Sequence, residues 1–310
     1  MKKQELRIGH LSTAYHTNFI LMCNKEFQAE FNNLVKWILF GTGPSMIKAF
    51  NDGKLDIGYM GLPPAIIGID NGIPIKCVAG GHVEGTLMIA KDSYNSLNNN
   101  DVNLKNVLKN FKGKRIGVPS KGSIHDVIIN YYLIKYNLLN KVEVKNYPQA
   151  EFIALDMKKG LLDGGVGTPS LAIFSSTIQK TRIIIPPDRL WPYNPSYGIF
   201  FHEDIIKESP EIVLKFLKYH KTASILLQNN PLNAAKLISS SFKVLTQDYI
   251  KSVLEISPKY CIALSESMIN STMKFVQTLY ELNYIKKKLE IEDIFNFKFI
   301  RIIHPEKEHY

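Results

Sequence analysis

Along the first ninety residues, short apolar runs alternate with amphipathic segments at a spacing that predicts strands and helices in turn. Leu6–Leu11 predicts a strand, Phe19–Phe31 a helix, Leu34–Leu39 a strand, Ser45–Asn51 a helix and Leu55–Tyr59 a strand. Pro63–Asp70 fits a helix with proline in its first turn, and Ile73–Ala79 ends the series as a strand. Alternation of this kind builds βαβ units, and hence a mainly parallel sheet covered on both faces.

The same order restarts after Ser93–Asn106, a polar, Asn-rich stretch that reads as a surface crossing. Arg115–Val118, Val142–Asn146, Leu161–Val166 and Arg182–Ile185 predict strands; Ser123–Tyr136 and Gln149–Lys158 predict helices. Two sequence blocks repeat in the same order. Arg7-Ile8-Gly9-His10-Leu11-Ser12 returns as Arg115-Ile116-Gly117-Val118-Pro119-Ser120, an offset of 108. Gly53-Lys54-Leu55-Asp56-Ile57-Gly58 returns as Gly160-Leu161-Leu162-Asp163-Gly164-Gly165, an offset of 107. Together they predict two lobes of like construction.

The last third differs. Tyr197–Phe201 predicts a strand, and a long amphipathic helix starts at Pro210 and stops before Asn229-Asn230-Pro231. Further helices fit Asn233–Ser240, Thr246–Leu254 and Ser265–Leu282, expected to wrap around the lobes. The domain reading is 1–92 with 196–310 as the first lobe, and 93–195 as the second.

Composition changes this picture little. The 310 residues, 45% hydrophobic and 21% charged, describe a globular chain, and no apolar run approaches the roughly 18–20 residues of a membrane span. The net charge of +10 is regional: residues 91–190 hold 15 basic and 8 acidic side chains. Those lysines are scattered, which speaks to solubility and encounter and excludes a built nucleic-acid surface. Cys23, Cys77 and Cys261 form neither a disulfide framework nor a zinc pattern and read as buried thiols. Lys2 and Lys3 could open an export signal, but Glu5, Arg7, His10 and His16 interrupt any apolar stretch behind them. Nor does Phe19–Cys23 form a lipoprotein cleavage site, having no small residues before the cysteine.

In a parallel α/β sheet, ligands bind beyond the carboxyl ends of the strands, where helices begin. The first lobe offers Ser12, His16, Thr42, Gly61, Pro63, His82 and Glu84 there; the second offers Ser120, Ser123, His125 and Thr168. Tyr193 and Tyr197 lie where the chain crosses back. Ser120-Lys121-Gly122-Ser123 says most, because Gly122 would let backbone approach a ligand while Ser123 caps a helix and adds a hydroxyl. Ser123 as a cap only, and each histidine as a core residue only, are the plain alternatives. The histidines have no metal spacing, so neither a metal nor a cofactor is expected. No dinucleotide-binding, phosphate-loop or nucleophile-elbow motif occurs, and Asp56 and Asp163 read as holding turns; nothing demands an enzyme.

The run Gly41 through Phe50-Asn51-Asp52-Gly53-Lys54-Leu55-Asp56-Ile57-Gly58-Tyr59-Met60-Gly61, then Gly72-Ile73-Pro74-Ile75-Lys76, resembles substrate-binding proteins of ABC importers for nitrate, sulfonates, taurine and thiamine-precursor pyrimidines. Phe111-Lys112-Gly113-Lys114-Arg115-Ile116-Gly117-Val118 and Tyr197-Gly198-Ile199-Phe200-Phe201 fit the same family. The resemblance implies a two-lobed periplasmic-binding-protein type II architecture: α/β lobes, each a mainly parallel sheet flanked by helices, with a helical C-terminal region. It implies a monomer that closes on a small anionic or heteroaromatic solute, without nucleic acid, and hands it to a membrane permease and its ATPase. Work outside the membrane would follow if a leader has been trimmed, and a cytoplasmic place if the sequence is complete. Bilobed enzymes of menaquinone synthesis, pyrimidine synthases and cytoplasmic sensors are the alternatives. For the synthases, Met60 and Pro64 stand where that family carries lysine and histidine.

Overall fold

A computed structural model describes residues 5–32, 34–97 and 103–310; Lys2, Lys3 and part of the polar crossing at 93–106 lie outside them. Ten strands form two five-stranded sheets. The first sheet holds β1 (Leu6–Leu11), β2 (Val35–Phe40), β3 (Ile57–Met60), β4 (Ile75–Val83) and β10 (Pro195–His202), in the order β2-β1-β3-β10-β4. The second holds β5 (Leu87–Lys91), β6 (Arg115–Pro119), β7 (Glu143–Tyr147), β8 (Gly164–Gly167) and β9 (Thr181–Ile185), in the order β7-β6-β8-β5-β9.

Both sheets have parallel β2-β1-β3 and β7-β6-β8 halves, as the alternation predicts. The remaining strand of each pairing differs from expectation. β10 runs antiparallel to β3 and β4, and β5 runs antiparallel to β8 and β9, so the chain twice crosses over and inserts a strand into the other lobe's sheet. β5 was not expected at all, and it moves the change of sheet from the predicted 92/93 to the segment between Val83 and Leu87.

The repeated blocks occupy matching places. In the first lobe the Arg7 N–H donates to Asp56 Oδ2 (2.7 Å), and the Asp56 N–H returns a bond to the Arg7 carbonyl (3.0 Å). In the second, the Arg115 N–H donates to Asp163 Oδ2 (3.0 Å), and the Asp163 N–H donates to the Arg115 carbonyl (2.9 Å). Each aspartate thus fixes the start of one strand against its neighbour, the turn-holding role the sequence suggested.

Two helices replace the single one predicted at Phe19–Phe31. Asn24 leaves the helical conformation and its side chain accepts the Phe27 N–H, starting a second helix at Lys25. A further helix, Pro169–Ile178, follows β8 where only a loop was read. The first sheet is buried on both faces. Ile57 and Tyr59 pack with Val213, Phe216 and Leu217 of the helix Pro210–Asn229, while Met60 and Phe200 belong to the opposite cluster with Phe275 of the helix Glu266–Glu281. Trp191, on the return crossing, stacks on Phe275 at 4.2 Å and donates its indole N–H to Ser271 Oγ (3.0 Å). The helical third therefore covers the first sheet and steadies the crossing.

Candidate functional site

Five helices begin at the cleft between the sheets: Gly43–Asn51, Leu62–Asp70, Ile124–Lys135, Ala150–Lys158 and Pro169–Ile178. The local cause is the same each time. A strand ends and a residue in extended conformation caps the next helix; at Thr42, Ser123 and Thr168 its side chain remains at the strand's carboxyl end. Ser123 accepts the Asp126 N–H (3.3 Å), Thr168 accepts that of Leu171 (3.5 Å), and Thr42 exchanges capping bonds with Ser45. The positive ends of five helix dipoles thus converge on one space.

That space is a cavity of about 70 Å³. An apolar cavity of ~150 Å³ accepts benzene, so this closed cleft suits a group of only a few heavy atoms. Of the predicted site residues, Ser12, His16, Thr42, Gly61, Ser123, His125 and Thr168 line it. Ser123 and Thr168 both cap a helix and line the cleft, so capping does not take Ser123 away from the cavity.

Six predicted residues lie elsewhere, each for a visible reason. β4 runs on to Val83, so His82 is a strand residue; its Nε2–H donates to the Ser257 carbonyl (2.6 Å), behind Tyr15. Glu84 is buried at the crossing, paired with Lys259 (2.8 Å) and accepting the Tyr193 N–H (3.0 Å). Tyr193 itself lies at the surface under the Lys259 ammonium, 4.9 Å from the ring centre. Tyr197 sits below the cleft, 4.0 Å from the His16 ring. Pro63 is inside the helix Leu62–Asp70, whose Pro64 reaches the cleft instead. The Ser120 hydroxyl turns to the Tyr147 carbonyl (3.4 Å). Gly122, too, stands outside the cleft: its φ of +81° makes the turn, and its N–H donates to Asp126 Oδ2 (2.8 Å).

The cleft is also lined by Thr13, Tyr15, Gly41, Thr86, Ser170 and Ser196, which the sequence places in or beside loops after strands, and by Pro64 and Glu151, which it does not single out as contacts. Most stand in the same post-strand loops as the selected ones, and that position was the available signal. Glu151 is different, being in the first turn of a helix. Its Oε1 accepts the Ser12 hydroxyl (3.1 Å), a bond from one lobe to the other. Beside it, a Cβ placed on Gly41 would overlap the Pro148 carbonyl oxygen of the second lobe. The lobes are therefore in contact across the cleft mouth, and only glycine permits that approach.

Among the described residues lining the cleft there is no lysine or arginine; Glu151 carries the only formal charge. The histidines are held neutral. Burial pushes His125 down to about 3, and burial first, then His82 and His10, holds His16 well below its usual value. Beneath them lies a paired layer. His220 Nε2–H donates to the Gly80 carbonyl (2.8 Å), its Nδ1 accepts from Thr17 Oγ1 (2.8 Å), and the Thr17 N–H donates to Tyr197 Oη (3.3 Å). The cleft layer is not paired. Both ring nitrogens of His125, His16 Nδ1, Thr86 Oγ1 and Ser170 Oγ are buried without a hydrogen-bond partner. Buried polar groups left unmade cost about 1–3 kcal/mol each, and these five, of twelve such atoms among the described residues, border one cavity, where a molecule can answer them.

Residues 1–240 match the NMT1-like family. A protein of Bacillus subtilis (strain 168) named for binding aliphatic sulfonates is 23% identical over 268 residues, 86% of this chain and 77% of that protein. The ligand-binding component of an ABC-type import system from Staphylococcus aureus, solved with zinc bound, superposes with a TM-score of 0.79 at 14% identity, covering 98% of this chain and 100% of the other. The alkanesulfonate-binding protein SsuA of Xanthomonas axonopodis pv. citri, bound to MOPS, superposes with a TM-score of 0.78 at 16% identity, over 94% of this chain and 97% of the other. These likenesses show the two-lobed binding-protein fold that the sequence led us to expect.

Proposed function

The chain belongs to the NMT1-like family, and on that premise we propose that it is the solute-binding component of an ABC importer, working outside the cytoplasmic membrane as a monomer. The observation that carries this reading is the layer of unpartnered polar atoms, from His16, Thr86, His125 and Ser170, around a cavity between two touching lobes. A solute that bonds to both lobes favours the closed state by its extra contacts there, and the closed form is what a permease with its ATPase would receive.

The lining narrows the solute. With no lysine or arginine at hand, an anion would be held by hydroxyls, imidazole N–H groups and helix N-termini rather than by an ion pair. That suits a singly charged group such as nitrate or a sulfonate head. A small heteroaromatic ring would fit only with the lobes parted further than they are here, against the faces of Tyr15, His16 and His125.

A thermal-shift screen over nitrate, alkanesulfonates, taurine, pyrimidines and riboflavin tests the proposal. One compound class should raise the melting temperature by several degrees and be recovered chemically unchanged. Chemical conversion of the stabilising compound would overturn the binding-only reading in favour of an enzyme.

A further inference from the structure

Away from the cleft, Cys261, His304 and His309 bring one sulfur and two imidazole nitrogens within 4.8 Å of one another. The sequence hides this group, because Cys261 and His304 stand 43 residues apart. We propose that the three side chains bind a zinc ion that fastens the C-terminal segment to the first lobe.

The geometry is close to what zinc requires. Zn–S of about 2.3 Å and Zn–N of about 2.0–2.1 Å at a tetrahedral angle place sulfur and nitrogen roughly 3.6 Å apart. Cys261 Sγ lies 3.4 Å from His304 Nε2. The outer contacts also suit a ligand set. His304 Nδ1–H donates to the Glu306 carbonyl (3.0 Å), which leaves Nε2 with its lone pair facing the sulfur. The Ala263 N–H donates to Cys261 Sγ (3.4 Å), which fixes the position of the sulfur. His309 is exposed and can turn its ring inward, its centre now 4.8 Å from that of His304. The metal would displace the thiol proton of Cys261 to solvent and take its place between sulfur and nitrogen.

Access and charge agree with this. A surface groove lined by His304, Glu306 and Glu308 leads to the cluster and carries negative charge. Glu306 Oε1 stands 3.9 Å from His304 Nε2 and is shared with Lys221, so it or water can fill the fourth position. Mechanically, Cys261 lies in the segment that runs beside β4, where the Gly80 N–H donates to the Ile262 carbonyl (2.8 Å) and the Val83 N–H to the Lys259 carbonyl (3.2 Å). A metal there would bind the chain end to the strand that leads out of the first lobe.

The test is titration of the untagged full chain with Co²⁺ as an absorbing stand-in, followed by displacement with Zn²⁺. One equivalent of Co²⁺ should give thiolate-to-metal charge-transfer absorption, abolished by Zn²⁺ and absent in Cys261→Ser. His309→Ala, a change at an exposed position, should weaken binding by roughly tenfold or more and keeps the test valid should Cys261→Ser fold poorly. Absence of the absorption in the native chain, its survival in Cys261→Ser, or unaltered affinity in His309→Ala would each overturn the proposal.

Discussion

In the first lobe Asp56 receives both the Arg7 N–H and its guanidinium, with Arg7 Nη2 2.7 Å from Oδ1. In the second, Asp163 receives the Arg115 N–H and the Tyr94 hydroxyl (3.4 Å); the Arg115 guanidinium turns to the Gly160 carbonyl, and Lys114 pairs with Asp163 instead, at 3.6 Å. The repeat thus keeps the strand-anchoring backbone bonds and replaces the close arginine pair with a longer, more exposed lysine pair. The cleft faces diverge further. The first lobe supplies an aromatic wall, Tyr15 and His16, backed by the paired layer of Tyr197, Thr17 and His220. The second supplies short hydroxyls and His125 at helix starts, without a paired layer of that kind under His125, whose ring nitrogens have no partner. Two lobes of one design have divided the work unequally: both carry unpartnered groups, but only the first sets them on an aromatic wall with a paired layer behind it.

The comparison can be broken at the mouth of the cleft, where the largest effect is expected. Gly41→Val would drive a side chain into Pro148 and hold the lobes apart. Solute affinity should drop by about a hundredfold or more, because only the closed fraction binds tightly, while the melting temperature of the free protein stays nearly unchanged. Calorimetry beside a thermal melt reads both; unaltered affinity would mean that closure is not needed.

The unequal anchors come next. Asp56→Asn should cost about 2–4 kcal/mol, since it breaks a largely buried, multiply bonded pair, and Asp163→Asn about 1–2 kcal/mol. Urea unfolding of the two variants measures the difference, and equal losses would show that the close arginine pair adds nothing beyond the exposed lysine pair.

Acidification sharpens the contrast between paired and unpaired histidines. Burial lowers His82, His125 and His220 to about 4, 3 and 4, against 6.5 when unfolded. Below pH 6.5 the unfolded chain binds more protons, so stability is full above that value and falls as pH drops toward 4. His125→Gln should flatten the slope of the urea midpoint against pH between 6.5 and 4.5. A slope unchanged by the substitution would show that His125 is not held neutral.

The smallest effect belongs to the bond between lobes. Ser12→Ala removes the hydroxyl that reaches Glu151 and should weaken solute binding by about two- to tenfold. A loss as large as that of Gly41→Val would make this bond, rather than backbone approach, the main latch.

The parallel halves of both sheets were legible because each strand is an apolar run followed by a capped helix, a local signal. β5 was not. Leu87-Met88-Ile89-Ala90 has no alternation, and its place is decided by antiparallel partners seventy to a hundred residues later. The site followed the same division. Ser12, Thr42, Ser123 and Thr168 were found because a residue after a strand faces the cleft by construction. His82 and Tyr197 were misjudged because β4 is longer than its apolar run, and the pleat of β10 turns Tyr197 to the far face. The regional charge says nothing of the site, since none of the second lobe's lysines lines the cleft.

The central claim is that one solute sits between the lobes, against the unpartnered groups. Ser170→Trp tests it most directly, because the Ser170 hydroxyl lines the cavity and holds no partner whose loss would disturb the fold. Calorimetric titration with the stabilising compound should give one site per chain with micromolar or tighter affinity in the native protein, and no detectable binding in the variant. Equal affinity in both would place the solute elsewhere and contradict the account.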